Sequence, residues 1–249
     1  MAGHSKFSNI KHRKGAQDAK RAKIFTKLSK EIIVAVKTAG GQTDPGSNPR
    51  LRSAIIAARA LNMPKDRIDK AIKQGTGQND EDNYEEIRYE GYGVAGVAII
   101  VEAMTNNRNR TAAEVRTIFN KAGGALGETG SVAFMFDRVG FLKYKIEVAS
   151  NDEIFEIALE VGADNVVSDM EYHEIICEVS AYNDVMNELQ EKLGEPELCG
   201  LSWQPNNFID IDDEKVEKIM NLIENLEDCD DVQYVTANVK LDEQNESEE

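Results

Sequence analysis

The sequence predicts an α+β protein, with a small N-terminal three-helix domain followed by α/β units. Three observations carry this prediction. Residues 18–77 hold three stretches of helical spacing punctuated by Gly and Pro, whereas beyond residue 87 strand-like apolar runs alternate with helical patterns. The charge divides at the same place. Residues 1–77 carry 17 Lys/Arg against 5 Asp/Glu, and residues 78–249 carry 12 against 40, within an overall net charge of −16. Such asymmetry separates a part that meets a polyanion from a part that repels one.

The elements follow in order. Residues 1–17 are polar and basic with little periodicity. From Asp18 the spacing is helical: at about 100° per residue, Phe25, Leu28, Ile32, Val36 and Ala39 share one arc. Lys20, Lys23, Lys27, Lys30 and Lys37 lie opposite, and Gly40-Gly41 ends the helix. A loop rich in Gly, Pro and Asp leads to Asn48-Pro49, an N-cap followed by Pro at the first helical position, which opens "RLRSAIIAARALN". Pro64 starts a third helix, "PKDRIDKAIKQ", ended by Gly75 and Gly77.

The acidic stretch 78–87, "QNDEDNYEEI", marks the first domain boundary, and "GVAIIVEAMT" then reads as a strand buried on both faces. "TAAEVRTIFNKAGG" predicts a helix opened by a capping box, Thr111 with Glu114. "GSVAFMFDRVGFLKYKI" predicts two strands, followed by the helix "DEIFEIALEVG" and the strand "EYHEIICEVS". The helix "YNDVMNELQEKLG" and the strand "LSWQP" complete that unit. "NFIDI" as a strand, "DDEKVEKIMNLIENL" as a helix and "DVQYVTANV" as a strand form the last element before an acidic tail.

Composition excludes several classes. No apolar run reaches the roughly 18 residues of a membrane span, the best being "VAGVAIIVEAM", and no apolar region follows the basic start as in a secretory signal. Cys177, Cys199 and Cys229 are scattered, without a CxxC pair, which predicts reduced thiols in a cytoplasmic protein and neither a zinc site nor a redox dithiol. Three separated histidines, His4, His12 and His173, compose no catalytic or metal constellation, and no nucleophile pairs with a base. The chain therefore reads as non-enzymatic, with no cofactor, no metal and no membrane partner.

The candidate site is the basic N-terminus. Lys6, Lys11, His12, Arg13, Lys14, Lys20, Arg21, Lys23, Lys27 and Lys30 are dense enough to contact several phosphates, and Phe7 among them offers a ring for an unpaired base. A solvated helix face would show a similar pattern, but not this concentration in so acidic a chain. The two helices around Asn62-Met63-Pro64 suit a helix-turn-helix or a plain bundle. "TNNRNRT" joins a strand to a helix start, where Arg108 and Arg110 either meet an anion or brace a cleft against carboxylates. "GGALGETGS" lacks the Gly-Lys-Ser/Thr of a phosphate loop and reads as turn chemistry, and "DIDD" at 210–213 reads as acids at a helix start rather than a cation site.

The segments "MAGHSKFSNIKHRKGAQDAKRAKIFTKLSKEI", "NPRLRSAI", "NMPKDRIDKAIKQGTG", "YEGYGVAGVAIIVEAMTNNRNRT" and "GGALGETGSVAFMF" closely resemble the YebC/PmpR family, in order and over nearly the whole chain. Phe7 stands where that family usually has Trp, Val94 where it has Pro, and Asn106 where it has Asp. The resemblance implies a helical domain at 1–77, then two α/β sandwich-like (ferredoxin-like) domains, one inserted in the other. These are 78–136 with 206–249, and the insert 137–205; the elements alone do not distinguish this order from consecutive domains. The resemblance also implies a DNA-binding transcriptional regulator. Its alternative is a ribosome-associated translation factor that binds ribosomal or transfer RNA and relieves stalled, proline-rich synthesis, as mitochondrial relatives imply.

Overall fold

The computed structural model describes residues 17–77 and 83–240, with the side chains of the first helix described from Arg21 onward. Along the chain the elements are α1 (Gln17–Thr38), α2 (Pro49–Ala60), α3 (Lys65–Gly75), β1 (Glu85–Tyr92), β2 (Ala98–Thr105), α4 (Arg108–Lys121), β3 (Ala125–Leu126) and β4 (Phe136–Lys145). Then come α5 (Asn151–Glu160), β5 (Asn165–Ser168), β6 (Tyr172–Glu178), α6 (Tyr182–Leu193), β7 (Leu198–Pro205), α7 (Asp213–Glu227) and β8 (Val232–Ala237). By contact the chain divides into two compact units, residues 1–83 with 138–202, and residues 84–137 with 203–249. The helical segment and the 138–202 segment thus belong to one unit.

In the first unit, α2 and α3 both pack on α1. Ile32, Ile33, Val34, Ala35 and Val36 are all buried, so the C-terminal half of α1 is enclosed well beyond the stripe its spacing predicts. Gly40 and Gly41 end α1 with φ of +66° and +88°, a conformation that side chains disfavour. Asn48 caps α2 as expected: its side chain accepts from the Leu51 N–H at 3.0 Å, and its amide donates to the Ala35 carbonyl at 2.9 Å. One residue thereby starts α2 and ties it to α1. At Gly75 the approach of α3 to α1 is close enough that a Cβ would sit 2.6 Å from Val36 Cβ.

The sheet of this unit has the order β5-β6-β4-β7. Its chain order, β4-α5-β5-β6-α6-β7, is the βαββαβ pattern of ferredoxin-like folds. Leu142, Tyr144, Ile154, Ala158, Ile175, Val185, Met186 and Leu189 form its core, and Ile56 of α2 joins them. A hydrogen bond between Ser53 and Tyr182 hydroxyls at 3.0 Å reinforces that junction.

The second unit has a sheet of order β3-β1-β2-β8, antiparallel throughout. On one face Ile99 and Val101 of β2 pack with Val115 and Phe119 of α4 and Ile219, Leu222 and Leu226 of α7. On the other, Ala98 and Ile100 pack with Val132 and Phe136. This two-sided cover is why β2 reads as a continuous apolar run.

Four expectations are corrected. The helix predicted from a Thr111–Glu114 capping box starts one turn earlier: Asn107 caps α4 by accepting from the Arg110 N–H at 3.1 Å. Thr111 instead donates inside the helix to Asp231 at 2.7 Å. "GSVAFMFDRVGFLKYKI" holds a single ten-residue strand, β4, after a 3-10 turn at Ala133–Met135. "NFIDI" is no strand and contributes one parallel bridge, Ile209 with Val239. The acidic boundary segment ends in β1, whose first residues Glu85 and Glu86 face solvent and mask the strand.

Candidate nucleic-acid interface

Of the proposed contacts, Lys6, Phe7, Lys11, His12, Arg13 and Lys14 lie outside the described residues. Lys20 falls in the first turn of α1, and its side chain is not among those described. Arg21 and Lys23 are exposed, and Lys27 is half-buried. Lys30 is a correction: it is only 8% exposed, within the enclosed half of α1, and offers no open contact to a polymer. Lys37, on the same predicted arc, donates to Asn83 Oδ1 at 2.9 Å. The cationic surface of α1 is therefore its N-terminal half.

Glu31, the only acid of α1 beyond Asp18, is paired with Arg50 of α2 at 2.8 Å. The helix α3 buries Ile68 and Ala71 against α1 and turns Lys65, Arg67, Lys70 and Lys73 outward. These four cations were missed in the sequence because Asp66 and Asp69 interleave with them and the helix looks nearly neutral. The hydrophobic spacing of Ile68, Ala71 and Ile72 was the signal that would have set Arg67 on the flank facing α1.

The two helices meet at Phe25. Its ring is 7% exposed and carries the Arg21 guanidinium at 5.4 Å and the Arg67 guanidinium at 5.5 Å from the centroid. Among the described side chains, neither arginine has a carboxylate partner. Cation–π contact of this kind holds a guanidinium in place while leaving its N–H groups outward. As to helix-turn-helix geometry, α2 and α3 pack on α1 rather than chiefly on each other, the arrangement of a bundle.

The second proposed anion contact is occupied from within. Arg110 Nη2 lies 2.6 Å from Asp231 Oδ2, and that oxygen also accepts from Thr111 at 2.7 Å and Thr105 at 3.1 Å. The hydrogen bond and charge of Asp231 raise the Arg110 pKa further. Arg110 is thus a brace inside the second unit; Arg108, one turn edge away, is exposed.

The remaining polar features are structural. Of the acids of "DIDD", Asp212 pairs with Lys215 at 2.6 Å at the start of α7, and Asp210 with Lys240, after β8, at 3.5 Å. Among the described residues no group of three His, Cys, Asp or Glu is placed to hold a metal ion. His173 is fully buried, its ring held between Ser168 Oγ at 2.7 Å and the Ala149 carbonyl at 2.9 Å. All three cysteines are buried, and burial pushes the Cys177 thiol up to about 11, away from a reactive thiolate. Among the described residues no helix is long and apolar enough to cross a membrane.

Comparison with known proteins agrees with this architecture. A solved crystal structure, a conserved hypothetical protein from Aquifex aeolicus, superposes with a TM-score of 0.85 at 42% identity, over 98% of this chain and 100% of that one. A model of the TACO1/YebC N-terminal domain matches residues 5–78. A second model, named Transcrip_reg and described as the TACO1/YebC second and third domain, matches residues 84–239. With both models matched in order along the chain, this protein belongs to the TACO1/YebC family.

Proposed function

We propose that this protein is a non-enzymatic, cytoplasmic regulator of gene expression that acts by binding nucleic acid through its N-terminal cations, with transcription as the process regulated. The observation that carries the reading is the segregation of charge: 17 Lys/Arg against 5 Asp/Glu up to residue 77, in a chain of net charge −16. The outward Arg21, Lys23 and α3 cations supply phosphate contacts, and displaced counterions drive such binding. Contacts of this type position a protein on a backbone without reading bases. The name of the model matched by residues 84–239 supports transcription as the process.

The same phosphate chemistry serves RNA, and a ribosome-associated translation factor is the competing reading. Crosslinking in cells followed by sequencing of both DNA and RNA separates the two. Enrichment at promoters is the expected result. Recovery of ribosomal or transfer RNA alone would reject transcription in favour of translation, and recovery of neither would reject nucleic-acid binding.

A further inference from the structure

Arg21 and Arg67 come from different helices, yet both rest on one phenylalanine ring, at 5.4 Å and 5.5 Å from its centroid. Two like charges so placed repel each other, and no carboxylate among the described side chains is paired with either. Four arginines elsewhere in the molecule do have carboxylates: Arg50 with Glu31, Arg59 with Glu195, Arg88 with Glu90 and Arg110 with Asp231. Since each guanidinium lies within 5.5 Å of the centroid, the two charges are no more than twice that distance apart. That span suits one phosphate or two successive phosphates of a strand.

We infer that Arg21, Phe25 and Arg67 form a phosphodiester clamp, in which an anionic backbone supplies a counter-charge to the two guanidiniums. This deepens the proposed function and rests on it. Phe25 is too buried, at 7% exposure, to stack on a base, so its ring packs in the core and holds the two guanidiniums. The clamp consequently reads phosphate and not sequence. Planar guanidiniums suit phosphate oxygens through paired N–H donors, which an ammonium group does not match. Lys70 and Lys73, exposed on α3, extend the same cationic surface.

The test is fluorescence anisotropy with the full chain, binding duplex DNA and single-stranded RNA oligonucleotides of several unrelated sequences over a range of salt. Arg67→Gln removes one phosphate contact. The slope of log affinity against log salt should then fall by about 0.9 on duplex DNA and by about 0.7 on single strands. If the parent and variant lines meet near 1 M salt, affinity at 0.1 M falls about eightfold on duplex, equally for every sequence. Arg21→Gln should do the same, and Arg67→Lys should restore most of the slope. Thermal melting of each variant controls for folding; should Arg67→Gln melt early, the Arg67→Lys and Arg21→Gln comparison carries the test. An unchanged slope in both Gln variants, with the parent still binding, overturns the clamp alone. A loss confined to one sequence overturns it too, by indicating base readout. A parent that binds neither polymer at low salt overturns the clamp and the nucleic-acid reading together.

Discussion

Replacing Asp231 by Ala should destabilise the second unit by about 2–3 kcal/mol, the net of three separate effects. One carboxylate oxygen accepts from Arg110 at 2.6 Å, Thr111 at 2.7 Å and Thr105 at 3.1 Å, and the side chain is 7% exposed. Hydrogen bonds to a charged group each contribute about 1.5–3 kcal/mol, which would give a larger total if every donor were stranded. They are not all stranded. The Arg110 side chain is 51% exposed and can rehydrate, so its ion pair adds no more than about 1 kcal/mol. Thr111 retains the Asn107 carbonyl at 3.2 Å and Thr105 Oγ1 at 2.8 Å as alternative acceptors. What is lost is the buried anchor joining the start of α4 to the segment before β8. Urea unfolding followed by tryptophan fluorescence is the assay, because the single tryptophan, Trp203, belongs to this unit and reports on it. Asp231→Asn, which keeps an acceptor oxygen, should cost about half as much as Asp231→Ala. A midpoint for Asp231→Ala within about 0.5 kcal/mol of the parent would refute the account, as would an equal loss in the first unit.

Other outcomes follow from the same reasoning. Gly75→Ala should destabilise the first unit by about 1–3 kcal/mol in chemical denaturation, since the added Cβ meets Val36 Cβ at 2.6 Å and the Ile33 carbonyl at 3.0 Å. Glu90 makes the second unit sensitive to acid. Burial pushes its pKa up most strongly, but the N–H groups of Val132, Gly130 and Ala133 and the Arg88 guanidinium together hold it below the ordinary value of 4.5. A depressed folded pKa contributes stability that is present above the unfolded value and lost as pH falls through the folded one. Denaturation midpoints read at Trp203 should therefore drop on acidification below about pH 4.5, and Glu90→Gln should flatten that part of the profile.

Local chemistry was the part of the fold legible in the sequence. Asn48-Pro49 starts α2 as its residues say, because an N-cap bonds within three positions and needs no distant partner. Thr111 misled for the opposite reason. A nearer cap, Asn107, starts the helix, and Asp231, 120 positions away, takes the Thr111 hydroxyl. The strand β1 was hidden because its opening acids face solvent, while its buried acid, Glu90, looks in sequence like part of the same acidic run. At the candidate site, the exposed Arg21 and Lys23 of α1 were legible. Lys30 was not, since a single-helix wheel cannot show that a helix is enclosed by others. Nor does any local pattern bring Arg67 onto the ring of Phe25, which requires the antecedent packing of Ile68, Ala71 and Gly75 on α1.

The division of charge also limits what the interface can do. At physiological ionic strength the Debye length is about 8 Å, so cations on α1 and α3 attract a phosphate backbone whatever acidic groups lie beyond that range. Phosphates that approach the acidic residues themselves are repelled within the same distance. A protein acting as proposed would therefore grip a short run of backbone and resist lying along a polyanion. An entirely basic protein of this size would coat DNA or RNA wherever it met them; the −28 carried by residues 78–249 opposes such coating. Phosphate contacts limited in number give modest affinity with a correspondingly shallow dependence on salt, and they carry no sequence information. Selectivity must then come from the shape of the site that admits the basic end, or from a second contact made by the α/β units. In this scheme the acidic body contributes to binding by making locations other than the fitting one unfavourable.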